Sequence, residues 1–102
     1  MDKPLSGKTV LVTGAARRIG RTIALALAES GANVAITYLV SQLEAEQTLR
    51  SAAEYGVEAF SVRCDLHDPE SIEQTVAAVV EEFGRVDVLV NALGDHLALA
   101  AP

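Results

Sequence analysis

Four short apolar runs, each followed by a stretch with a different periodicity, restrict this chain to very few folds. Lys8 to Thr13 is the first run, and from Ile19 the apolar residues take helical spacing through Ile23, Ala24 and Leu27 until Gly31. Asn33 to Thr37 is the second. Ser41 then stands as a helix N-cap with Glu44 three residues on, a capping-box pattern. That helix is predicted to bury Ala45, Leu49, Ala52 and Ala53 before Gly56 closes it. Val57 to Cys64 is the third run. Asp68-Pro69-Glu70 begins the next helix, with Asp as cap and Pro in the first turn, where its missing N–H costs nothing. Ile72, Val76, Val79 and Phe83 fall on one stripe of it, and Gly84 ends it. Val86 to Val90 is the fourth run.

The order is therefore βαβαβαβ. Short connections between alternating strands and helices imply parallel pairing and right-handed crossovers. A four-stranded, doubly wound α/β sheet in the order 3-2-1-4 follows, with a ligand crevice at the carboxyl ends where the order reverses between the first and fourth strands. The first two helices are expected on one face and the third on the other. With 102 residues the chain is one domain, residues 1–102, with no internal repeat or linker. The Ala/Leu-rich segment Gly94 to Pro102 reads as a loop or an incipient helix.

Composition narrows the partners. Half the residues are apolar, the net charge is −6, and eight basic residues are too few for a phosphate-tracking surface, so neither nucleic acid nor an anionic membrane is an expected partner. No run approaches the roughly 20 apolar residues of a membrane span, and the expected location is cytoplasmic. Cys64 has no cysteine or histidine at ligand spacing and reads as a small half-buried residue; no metal site is expected. His67 and His96 read as loop histidines.

The segment richest in chemical information is Thr13-Gly14-Ala15-Ala16-Arg17-Arg18-Ile19-Gly20, at the turn from the first strand into the first helix. Small residues there let backbone approach a pyrophosphate, and the free N–H groups and dipole of the helix start favour an anion. Gly14 would make the turn, and Gly20 would let the helix lie close to the sheet; a glycine at such a turn also has an ordinary backbone reason. The segment resembles the T-G-x-x-x-G-x-G signature of the short-chain dehydrogenase/reductase family, with Arg18 in place of the middle glycine, as in its pteridine-reductase-like branch. A guanidinium there could supply charge-assisted bonds to phosphate.

Further segments carry the same resemblance, which extends over residues 6 to 94. Cys64-Asp65-Leu66 resembles the family's strand-3 ending, whose aspartate accepts a hydrogen bond from the adenine amino group; a turn-forming role is the alternative for Asp65. Asn91-Ala92-Leu93-Gly94 resembles a degraded Asn-Asn-Ala-Gly element, in which Asn91 would brace the sheet and Gly94 leave room beside the adenosine ribose. Asp87 ahead of Val-Leu-Val-Asn matches as well. The resemblance implies a Rossmann domain, incomplete relative to the family's full fold, that binds a nicotinamide dinucleotide.

The end of the second strand bears on which dinucleotide. NAD-preferring relatives place a carboxylate there for the ribose 2′-hydroxyl, and Tyr38 occupies that position. Arg17 and Arg18 stand where a base for the 2′-phosphate is expected, with Thr37 and Ser41 as hydroxyl donors, whereas Leu39 replaces an arginine found in many NADP-preferring relatives. NADP(H) is the expected cofactor and NAD(H) is possible. The cofactor-binding set is Gly14, Arg17, Arg18, Ile19, Gly20, Tyr38, Ser41, Asp65, Leu66, Asn91 and Gly94.

The family's reaction needs a tyrosine followed four residues later by lysine, plus a serine. Tyr38 and Tyr55 are followed four residues on by Gln42 and Ala59, and the two lysines are Lys3 and Lys8, so no catalytic residue is assigned. The expected function is the NADP(H)-binding portion of an oxidoreductase acting on a carbonyl, alcohol or pterin-like substrate, with the catalytic half elsewhere. The alternative is a non-catalytic nucleotide-binding or interaction protein that uses an exposed sheet edge. An adenosine-cofactor methyltransferase would normally end the second strand with a carboxylate, and Tyr38 argues against it. The fourth strand is expected to be an exposed edge, which makes the chain marginal, homo-oligomeric or dependent on a complementing C-terminal segment.

Overall fold

The computed structural model describes residues 3–14 and 18–92. Seven elements follow one another: β1 (Thr9–Thr13), α1 (Arg18–Glu29), β2 (Asn33–Tyr38), α2 (Gln42–Ala53), β3 (Ala59–Arg63), α3 (Pro69–Phe83) and β4 (Val88–Asn91). All strand pairs are parallel, and the sheet runs β3-β2-β1-β4. This is the doubly wound order expected from the alternation of elements.

The two faces of the sheet bury different layers. Val10, Val12, Val34 and Ile36 pack with Ala24, Ala28, Ala45 and Ala52 of α1 and α2. Leu11 and Ala35, which alternate with them along the strands, pack with Val79 of α3. Phe60 meets Phe83 edge to face, ring centroids 5.1 Å apart, at the margin of this second layer. Every residue of β1 is buried, which explains its unbroken β-branched and leucine character.

Helix faces depart from the sequence reading in three places. The buried face of α1 is Gly20, Ala24 and Ala28, four residues apart, and these small residues let the helix lie near the sheet. Ile19, one residue before Gly20, is turned off that face and is 66% exposed. On α2 the buried residues are Ala45, Thr48 and Ala52, whereas Leu49 is only half-buried and Ala53 is exposed. Thr48 can be buried because its hydroxyl donates to the Glu44 carbonyl one turn back. Ser41 is the N-cap of α2 by position, but with ψ at 56° its side chain accepts no capping hydrogen bond, so the expected capping box is not formed through that hydroxyl.

The start of α3 follows its sequence closely. Asp68 accepts a hydrogen bond from the Glu70 N–H at 3.0 Å, Pro69 begins the helix, and Gly84 ends it in the left-handed region at φ 85°. Its expected apolar stripe is only partly covered. Thr75 and Val79 are buried, whereas Ile72 and Val76 are 38% and 44% exposed.

Strand boundaries shift by one residue at several ends and by two at the starts of β3 and β4, where the reason is common. At the start of β3 the Glu58 N–H donates to the Asn33 side chain, and Val57 and Glu58 remain outside the strand. Ahead of β4 the Asp87 carboxylate takes the Thr9 N–H, and regular pairing begins at Val88. β4 is the sheet edge, with Val88 43% and Leu89 61% exposed. Among the described residues no helix is long and apolar enough to cross a membrane.

Candidate functional site

The sheet order reverses between β1 and β4, which places a crevice at their carboxyl ends. Four strand endings gather there: Thr13-Gly14, Thr37-Tyr38, Cys64-Asp65-Leu66 and Asn91-Ala92. Polar bonds tie them together. The Thr13 hydroxyl donates to Asn91 Oδ1 at 2.7 Å, and the Ala92 N–H reaches both the Thr13 carbonyl and its hydroxyl, at 3.2 and 3.3 Å. The Gly14 N–H donates to the Thr37 hydroxyl at 3.0 Å, and the Cys64 N–H donates to the Tyr38 carbonyl at 2.8 Å.

The turn out of β1 requires left-handed backbone at both described ends. Gly14 has φ 68°, which suits glycine. Arg18 has φ 59°, the one non-glycine positive φ among the described residues, at the position where the family resemblance expects a glycine. Arg17 lies between them but outside the described residues, as does Gly94. Gly20 is buried on the sheet side of α1, and Ile19 is exposed at its start.

Asp65 performs the turn role that was the alternative for it. Its Oδ1 accepts from the His67 N–H at 2.9 Å, and its carbonyl accepts from the Asp68 N–H at 3.0 Å. The Ser71 hydroxyl accepts from the Asp65 N–H and so fastens this turn to α3. Asp65 Oδ2 makes no hydrogen bond among the described residues, next in sequence to Cys64 and Leu66, which line the groove. Tyr38 is half-buried and packs against the core on the α1 and α2 side, with Ser41 half-buried beyond it.

A groove of about 280 Å³ runs from these strand endings along the α3 face of the sheet. Thr13, Thr37 and Asn91 give it a polar end, while Leu66, Val76 and Leu89 line its apolar length. Cys64 also borders it and is buried rather than half-buried, its thiol 3.8 Å from the Ser71 carbonyl. An ion pair lies at the other end of the sheet. Arg85 grips Asp87 there at 2.6 Å, and this hydrogen bond, together with the Thr9 N–H, holds the Asp87 carboxyl below the usual carboxylate range. Among the described residues no group of three or more acidic, histidine or cysteine side chains gathers around a point that could hold a metal.

Thr13 and Thr37 were the residues least visible as a pair in the sequence. Thr37 reads there as a phosphate donor, whereas it is 2% exposed with its hydroxyl oxygen engaged by Gly14. The available signal was a threonine in the inward register at the carboxyl end of each strand, since a buried hydroxyl demands a partner.

Known proteins share this framework. The family profile described as short chain dehydrogenase matches residues 8–99. The 3-oxoacyl-(acyl-carrier-protein) reductase FabG of Staphylococcus epidermidis is 45% identical over 87 residues, 85% of this chain and 36% of that protein. An L-rhamnose 1-dehydrogenase (NAD(P)(+)) of a Sphingomonas species is 45% identical over 92 residues, 90% of this chain and 36% of that protein. The crystal structure of a short chain dehydrogenase from Burkholderia cenocepacia in complex with NADP superposes with a TM-score of 0.83 at 42% identity, covering 85% of this chain and 36% of that one. The chain thus spans about 36% of the length of the curated relatives it matches.

Proposed function

This chain belongs to the short-chain dehydrogenase family, and from that premise we propose that it forms the dinucleotide-binding portion of an oxidoreductase using NADP(H) in preference to NAD(H). The bound cofactor supplies or accepts the hydride, with a carbonyl, alcohol or pterin-like compound as its counterpart. The observation that carries the reading is the anchored turn at the crevice, where Gly14 at φ 68° is bonded to Thr37 beside the Thr13–Asn91 bridge.

The residues present fit such a cofactor. The turn from Gly14 to Gly20 opens α1, where backbone N–H groups favour a pyrophosphate, and Arg17 and Arg18 add positive charge to that turn. The groove offers an apolar slot beside Leu66, with Asp65 Oδ2 as a spare acceptor for an adenine amino group. Tyr38 and Ser41 would border the adenosine ribose, and with no carboxylate at Tyr38 nothing there repels a 2′-phosphate. Ile19 and Gly94 would lie along the cofactor, and Asn91 would hold the floor of the crevice. Support for the NADP preference comes from the NADP complex of the Burkholderia relative, while the Sphingomonas relative carries both cofactors in its name. Proton transfer is assigned to no residue here, because the sequence contains no tyrosine followed four residues later by lysine.

Calorimetric titration of the purified chain with NADPH and NADH at equal ionic strength tests this reading. NADPH is expected to bind more tightly, and Arg17→Gln is expected to weaken NADPH by about tenfold or more, the loss of one charge-assisted bond, with NADH little changed. Equal affinity for the two, insensitive to Arg17, would remove the preference, and no binding of either would remove the cofactor reading for this chain.

A second reading has its own observation. β4 carries apolar residues toward both faces, with Val88 and Leu89 exposed, so a non-catalytic association through this edge also accounts for the chain.

A further inference from the structure

We infer that Thr37 is a positioning residue for the turn that opens the crevice, acting through the Gly14 amide; its link to the cofactor rests on the reading proposed above. Regular pairing of β1 with β2 reaches Val12 opposite Ile36, and the chain then turns away through Gly14. A backbone N–H leaving a sheet at that point loses its ladder acceptor. The Thr37 hydroxyl, 3.0 Å away and 23 residues distant in sequence, supplies one.

Thr37 is well built for this role. Its backbone lies between two strands, paired through the ladder with Val62 of β3 while β1 flanks β2 on the other side. The residue is 2% exposed, and a β-branched residue has few rotamers, so the hydroxyl is held in place before any ligand arrives. On the opposite flank Thr13 is bonded to Asn91 at 2.7 Å. The first two residues of the turn are therefore pinned from both neighbouring strands, Thr13 from β4 and Gly14 from β2. Gly14 is where the chain leaves the sheet toward α1, and an ångström-scale displacement there is enough to spoil a preorganised anion site.

The test uses the full chain with Thr37→Val, which keeps the shape and removes the hydroxyl, and Thr37→Ser, which restores it. Amide hydrogen exchange is read at Gly14, with Val12 and Ile36 as internal references, and NADPH affinity is measured by calorimetry. In Thr37→Val the Gly14 amide is expected to exchange about tenfold faster while Val12 and Ile36 hold, and NADPH affinity is expected to fall about fivefold to tenfold, as one lost hydrogen bond implies. Thr37→Ser is expected to recover both. Unchanged Gly14 exchange, or equal acceleration at all three amides, overturns the anchoring role. Accelerated Gly14 exchange with unchanged NADPH affinity overturns the link to the cofactor. If the unsubstituted chain binds no dinucleotide, the proposed function fails with that link, and the exchange measurement alone still decides whether Thr37 anchors Gly14.

Discussion

Asp87 and Thr9 hold each other by a reciprocal pair of hydrogen bonds: the Thr9 N–H donates to Asp87 Oδ2 at 2.8 Å, and the Asp87 N–H donates to the Thr9 carbonyl at 2.9 Å. Arg85 adds a bidentate grip on the same carboxylate. This clasp fixes the register with which β4 joins β1, Val88 opposite Val10. The edge strand is thus tied at its entry by Asp87 and at its exit by Asn91.

The clasp makes stability depend on acid pH. The hydrogen bond from Arg85, and then that from the Thr9 amide, lower the Asp87 pKa in the folded state. A carboxyl lowered on folding stabilises fully above its unfolded pKa, and that contribution is lost as pH falls through the lower, folded value. Asp87→Asn is expected to lower the urea midpoint at pH 7 and to flatten its decline between pH 5 and pH 3. Equal acid slopes for the two proteins would show that Asp87 contributes none of the acid dependence.

Arg18 occupies left-handed backbone at φ 59°, a conformation that costs an L-residue about 1–2 kcal/mol. Glycine removes that cost but brings a more flexible unfolded chain, worth roughly 0.5–1 kcal/mol. Arg18→Gly is therefore expected to stabilise the fold by up to about 1 kcal/mol in urea titrations. A lower midpoint than the parent would mean that the contacts of the arginine side chain outweigh its backbone strain.

Gly31 has two separate reasons to be glycine. Its φ is 101°, and an added Cβ would stand 2.9 Å from Lys3 Cβ and 3.1 Å from the Ser6 nitrogen. Gly56 shares the left-handed backbone at φ 84° with nothing within 4 Å of such a Cβ. Gly31→Ala is expected to cost about 2–4 kcal/mol, backbone strain plus overpacking, and Gly56→Ala about 1–2 kcal/mol from strain alone. Equal losses in thermal unfolding would indicate that the segment around Lys3 and Ser6 yields to the methyl group.

The exposed β4 edge is expected to drive association of the purified chain. Burial of a leucine side chain is worth roughly 1.5–3 kcal/mol, so Leu89→Glu should weaken self-association about tenfold or more in sedimentation velocity. A chain that stays monomeric across a wide concentration range would remove the edge-association reading.

Periodicity made the element order, the glycine turns and the α3 cap readable because each depends on residues within a few positions of one another. Asp68, Pro69 and Gly84 behave in the fold as their local chemistry predicts. Helix faces were less legible. Leu49 and Ala53 are apolar and at helical spacing, yet α2 buries Thr48 in their stead, its hydroxyl satisfied by the Glu44 carbonyl. Ser41 has a capping sequence, yet its backbone angles leave its side chain without a capping bond.

The sequence by itself determined a four-stranded, doubly wound sheet with a crevice at one end, because alternation, connection length and right-handed crossovers leave few other arrangements. Tertiary structure alone decided which polar groups meet at the two ends of that sheet. Thr13 with Asn91 and Thr9 with Asp87 are each 78 residues apart, and Gly14 with Thr37 are 23 apart. Such pairs depend on strand register and on how two helical layers seat against the sheet, quantities set by the packing of the whole domain and carried by no local pattern.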